Sequence, residues 1–152
     1  MEPTAELVRS AVTATVPADD CDPATLWRLM AEPRWWSRWA PHIRRARPVD
    51  TAGDTPVVDG DRVRIDSVWP VHVTAAITCV EPPARWDFRV GLPLGHHLDA
   101  SHEVLVAPTR VRVRMHLRGP LPRQAGAALL AAYRPVALLA LHRLVALARD
   151  RA

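Results

Sequence analysis

From residue 61 to residue 118 apolar and polar side chains alternate with a period of two, with no helical spacing between them. In the first segment, residues 61–69, Val63, Ile65, Ser67 and Trp69 fall on one face, and Arg62, Arg64 and Asp66 on the other. In the second, Val71, Val73, Ala75, Ile77 and Cys79 share a face. After a Glu81-Pro82-Pro83 turn, Trp86, Phe88 and Val90 oppose Arg85, Asp87 and Arg89. Residues 98–106 and 110–118 then read as a hairpin across Pro108-Thr109, with Val111, Val113, Met115 and Leu117 opposite Arg112, Arg114, His116 and Arg118. Such alternation marks half-buried strands. Strands joined by short turns pair antiparallel, and an apolar face backed by an arginine-rich one is covered on one side only.

The cover follows directly. Residues 121–149 predict one Ala/Leu helix of about 28 residues, roughly 40 Å long. Pro135 falls in its middle and should kink it, because the ring clashes with the preceding turn. Upstream, residues 11–16 alternate as a strand and stop at Pro17. Asp20 or Asp22 can cap a helix over residues 23–31, with Pro23 in its first turn. A second helical turn over residues 34–38 begins a tryptophan-rich stretch that Pro41 ends, and residues 43–49 form a weak strand before a polar loop to Gly60. The expectation is one α+β domain over residues 1–152, its core at about 11–149. A curved antiparallel sheet of about seven strands wraps the long helix, and two short helices follow the first strand.

Composition narrows the partners. Hydrophobic residues make up 49% of the chain and charged residues 24%, a globular balance. No unbroken apolar run approaches the roughly 20 residues of a membrane span, so no stable membrane insertion is expected. The N-terminal stretch carries acids and no apolar segment, which predicts a cytoplasmic protein. The net charge of +4 comes with twenty arginines and no lysine, the usage of a GC-rich genome, and the charges are dispersed. The densest group, Arg44, Arg45 and Arg47, is too short for a phosphate track, so nucleic acid is not an expected partner. Cys21 and Cys79 lack metal spacing, and Cys79 reads as a small buried hydrophobe on its strand. Neither a nucleophile elbow nor a phosphate loop nor a dinucleotide fingerprint is present.

Two local stretches carry a resemblance. Leu26-Trp27-Arg28-Leu29-Met30 is followed by Trp35-Trp36-Ser37-Arg38-Trp39-Ala40-Pro41, and Val80-Glu81-Pro82-Pro83-Ala84-Arg85-Trp86 forms a later turn. With the element order, these resemble the START-like superfamily (SRPBCC), the polyketide cyclase/dehydrase and lipid-transport family, from about residue 11 to 149. The resemblance implies a helix-grip fold and a hydrophobic small-molecule ligand held between sheet and helix. It implies either a cofactor-independent cyclase/dehydratase of secondary metabolism or a non-catalytic lipid, quinone or isoprenoid carrier.

His102 shares strand parity with Leu98, Ala100, Val104 and Val106. If that face lines a cavity, the imidazole is a proton-transfer group in an apolar pocket; otherwise it is a core histidine, or lies outside through a one-residue slip. Tyr133 and Arg134 flank the Pro135 kink, and one of them faces the sheet. A tyrosine hydroxyl there can donate to a ketone and an arginine can hold an oxyanion, although Arg134 can equally snorkel to solvent. The expected pocket lining is Trp35, Trp39, Val63, Ile65, Ser67, Val73, Trp86, Phe88, Val104, Val113, Met115, Ala137 and Leu141. His96, His97, Asp99 and His102 lack a fourth ligand at metal spacing, so no metal is expected and the loop of residues 91–97 reads as a gate. His42, His72, His116 and His142 read as surface or packing residues. The terminal helix carries leucines on more than one face, so a homodimer is a further possibility.

Overall fold

The computed structural model describes residues 10–68 and 72–151, so Trp69 and Val71 lie outside the described residues. Seven strands form one antiparallel sheet in the order β1-β7-β6-β5-β4-β3-β2. They are β1 (Ser10–Pro17), β2 (Ile43–Pro48), β3 (Arg62–Ser67), β4 (His72–Glu81), β5 (Arg85–Leu92), β6 (His96–Leu105) and β7 (Arg110–Arg118). Two short helices, α1 (Pro23–Ala31) and α2 (Trp36–Trp39), follow β1, joined by a 3-10 turn at Pro33–Trp35. The long helix α3 (Arg123–Arg149) ends the fold. The one-sided antiparallel sheet expected from the alternation and the helix-grip architecture implied by the resemblance are what the chain adopts.

Helix α1 begins as the sequence predicts. Asp22 accepts from the Thr25 backbone N–H at 3.1 Å and from its hydroxyl at 3.0 Å, with Pro23 in the first turn. Its end is held less conventionally. The last carbonyls of a helix lack intrahelical donors, and here two indoles supply them: Trp36 Nε1 donates to Met30 O and Trp39 Nε1 to Leu29 O, each at 2.9 Å. The tryptophan-rich stretch therefore fastens α2 to α1.

The alternation breaks at one point. Strand β4 carries an extra residue at Thr78, so Ile77 pairs with Phe88 while Cys79 pairs with Asp87 and Val80 with Trp86. A bulge of this kind reverses parity beyond it. Val80 takes the core face and Cys79 turns to the outer one, its Sγ 3.8 Å from Glu81 Oε1. The expectation of a buried Cys79 is corrected accordingly. On that outer face arginines bracket acids: Arg89 and Arg118 meet Asp99, Arg112 and Arg114 meet Glu103, and Arg85 meets Asp87.

Helix α3 runs unbroken through Pro135 and lays Leu130, Leu141, Leu144 and Val145 against the sheet. By length and composition it would suffice to cross a membrane, with a mean hydropathy of 1.4 in its most apolar stretch.

Candidate functional site

The cavity lies between the middle of α3 and the sheet rows nearest α2. Register places Trp86 across from His102 and His102 across from Val113, so these three share one row of the inner face. The next row is Phe88, Ala100 and Met115. Ile65 and Leu98 extend the sheet wall. Trp36, Trp39, Ala40, His42 and Ile43 form the α2 side, and Tyr133, Ala137 and Ala140 come from α3. The space between them is about 80 Å³, far below the roughly 300–1,000 Å³ typical of small-molecule pockets.

Aromatic rings take up the missing volume. Trp36 stacks on Trp86 with centroids 5.0 Å apart and planes within 2°. Trp86 in turn stacks on His102 at 4.1 Å and 5°. Phe88 lies 5.4 Å from the imidazole, and Trp39 meets it edge-on at 6.4 Å. His102 is 8% exposed, and burial drives its pKa down to about 3. The opposing pull of the Asp87 carboxylate on the outer face is smaller. A charged ring in this position would lose its hydration without a compensating partner. His102 therefore stays neutral at ordinary pH, and as a proton acceptor it is weak.

A second polar group sits across the cavity. The Tyr133 hydroxyl lies 2.8 Å from His42 Nε2, with the rings edge to face at 5.5 Å. Burial raises the phenol pKa well above its usual value and lowers that of the imidazole, so both partners remain neutral. A neutral pair can bond in two ways: the phenol donates to Nε2, or Nε2–H donates to the phenol oxygen and frees the hydroxyl proton. His42 Nδ1, His102 Nδ1 and Trp86 Nε1 are all buried without a hydrogen-bond partner among the described residues. Each such orphan costs about 1–3 kcal/mol, which makes a bordering cavity a place where a polar ligand atom is welcome.

The structure brings together His102, Tyr133, Trp39, Ile65, Trp86, Phe88, Val113, Met115 and Ala137. It does not bring in the rest. Arg134 is exposed and its Nε donates to Thr13 O on β1 at 3.2 Å, because it points about 100° away from the inward Tyr133. Trp35 lies outside, beneath the guanidinium groups of Arg34, Arg38 and Arg151. Val63, Val104 and Leu141 are buried core beyond the cavity walls, and Ser67 and Val73 are half-buried nearer the sheet margin. His96 is no gate residue: its Nδ1 donates to Pro93 O at 2.9 Å and its Nε2 accepts from Leu121 N–H at 3.2 Å. Gly119 is necessary beside it, with φ 148° and a hypothetical Cβ 2.3 Å from His96 Cδ2. Among the described residues no three His, Cys, Asp or Glu side chains group as a metal site.

Sequence reasoning missed Trp36, Ala40, His42, Ile43, Leu98, Ala100 and Ala140. For Leu98 and Ala100 the signal was present, since both share parity with His102. His42 stands between Pro41 and a short strand, where no periodicity fixes its direction, and it was expected at the surface or in packing. It is instead the partner of Tyr133.

A curved sheet gripping one long helix over an apolar, aromatic-walled cavity defines a hydrophobic-ligand-binding helix-grip protein. The family model for polyketide cyclase/dehydrase and lipid transport matches residues 9–149, and the chain belongs to that family. A comparison with curated proteins gives no match. Among solved structures, a hypothetical protein from Helicobacter pylori is similar at a TM-score of 0.76 and 15% identity, over 96% of this chain and 91% of that one. Norcoclaurine synthase from Thalictrum flavum, solved with dopamine and hydroxybenzaldehyde, gives a TM-score of 0.67 at 10% identity, over 94% and 88%. The di-domain ARO/CYC BexL from the BE-7585A biosynthetic pathway gives 0.68 at 13% identity, over 91% of this chain and 49% of that one, so the chain spans about half of it. At these identities the likeness is one of fold.

Proposed function

We propose that the protein acts, without a cofactor, as a cyclase/dehydratase-type enzyme on a compact apolar or aromatic molecule bearing a ketone or hydroxyl oxygen. One observation carries this reading: three polar side chains, His42, His102 and Tyr133, converge on an otherwise apolar cavity. Proximity does much of the work, since a shaped aromatic slot holds the reacting carbon against its partner carbonyl. Tyr133 donates a hydrogen bond to the ligand oxygen, with His42 orienting the phenol. In a dehydration His42, whose Nε2–H holds the Tyr133 oxygen, takes the proton from the carbon next to the ketone at its unpartnered Nδ1. The departing hydroxyl leaves as water with a proton from the phenol, which recovers one from the His42 imidazolium at Nε2. Nothing is oxidised or reduced. A cytoplasmic setting suits such an enzyme.

The alternative is a carrier for a lipid, quinone or isoprenoid, in which the cavity only excludes water. The uncharged wall favours that reading, because general acid–base groups normally titrate near the working pH and these do not.

The test uses a short β-hydroxyketone and follows water loss by absorbance of the enone. Wild-type protein should turn it over, and Tyr133→Phe should fall by about 100-fold or more. Binding of 2-naphthol, read by tryptophan quenching, should persist in that variant. Quenching without turnover by the wild type would leave only the carrier reading.

A further inference from the structure

His102 has no part in the proton transfers above, and packing alone does not explain it. It is 8% exposed and stands in the cavity wall between Trp86 and Val113. Leu98, Ala100 and Val104, its neighbours of the same parity on β6, are apolar. No hydrogen bond from a described residue reaches the ring, and Nδ1 is wholly buried. Nor is the ring free to turn toward a partner. Trp86 stacks on it at 4.1 Å, Phe88 lies 5.4 Å away and Trp39 meets it edge-on. The indole stacked on it is in the same condition, Trp86 Nε1 being buried and unpartnered among the described residues. A phenylalanine at position 102 would fill the stack and leave no polar atom of its own unsatisfied.

Buried polar groups are ordinarily hydrogen-bonded, so an exception in a cavity wall points to what the cavity receives. The Tyr133–His42 pair already supplies one polar position. We propose that His102 is a second oxygen-binding position, so that the ligand is an uncharged aromatic molecule carrying two oxygens, one met by Tyr133 and the other by His102. A neutral imidazole has one donor and one acceptor nitrogen, and can hold either a hydroxyl or a carbonyl. Burial keeps the ring neutral, so it holds that oxygen without taking a proton. Among the described residues no arginine, aspartate or glutamate lines the cavity. A carboxylate there would lose its hydration with no cation to meet it, which sets the site against anionic ligands. The proposal rests on the reading of this cavity as a ligand site, and holds for the enzyme and the carrier alike.

Tryptophan quenching of the full chain tests it, with 2-naphthol as the one-oxygen probe and 2,6- and 2,7-dihydroxynaphthalene as two-oxygen probes. The better diol should bind about 10-fold tighter than 2-naphthol. At neutral pH 6-hydroxy-2-naphthoate should bind about 100-fold or more weaker than that diol. His102→Phe keeps a ring in the stack and should bring the ratio of diol to naphthol affinity to about one. A packing role for His102 would leave that ratio unmoved. Diols that bind the wild type no tighter than 2-naphthol would overturn the proposal, and so would a carboxylate bound as tightly as the diol. Both comparisons use the wild type alone and stand even where the variant fails to fold. A preference kept by the folded variant would also overturn it. Quenching by none of the probes would overturn it together with the ligand-site reading, whereas the other outcomes leave that reading in place.

Discussion

At the scale of single residues the site is defined by groups kept uncharged. Burial lowers the pKa of His102 to about 3 and also lowers that of His42, against about 6.5 for a histidine in an unfolded chain. Between those values the unfolded chain binds protons that the folded one refuses, so stability must fall as pH drops through about 6.5 toward 3. The slope approaches about 1.4 kcal/mol per pH unit for His102, and His42 adds to it in the same direction. Urea titrations between pH 7 and about 4.5 should show it, above the range where carboxylates dominate. His102→Phe should flatten the curve by about one proton. An unchanged slope in that variant would mean that His102 is not held neutral by its surroundings.

At the scale of elements, α1 and α2 owe their arrangement to indole donors as much as to apolar contact. Trp39→Phe keeps an aromatic ring but removes the donor to Leu29 O. The expected loss is about 1–3 kcal/mol in a denaturant midpoint experiment, with the orphaned carbonyl the larger part. A loss within error would show the carbonyl to be satisfied by water. The elements are also where the sequence was most legible. All seven strands, α1 and α3 follow from alternation, a capping aspartate and a proline, because those signals act within a few residues. The bulge at Thr78 was not visible: one added residue leaves the local pattern intact and shifts only the pairing across strands. Site residues divide the same way. Those on strands beside His102 follow from parity, whereas the direction of His42 depends on how β2, α2 and α3 meet.

At the scale of the whole molecule, the cavity belongs to no single element. It exists because α3 presents Ala137 and Ala140 where larger residues would meet the sheet. Ala140→Leu should fill the roughly 80 Å³ space with little change in thermal midpoint and abolish quenching by 2-naphthol. Retained quenching would place the ligand elsewhere.

The position of β1 has a consequence for how the chain comes together. Among the described strands its sole neighbour is β7, Ser10 lying across from Leu117 about a hundred residues later. Helix α3 packs against β1 as well. Contacts so distant in sequence slow folding, and β1 must wait on the ribosome for the strand that pairs with it. Until then its apolar side chains are uncovered, which makes the nascent chain a natural client for chaperones.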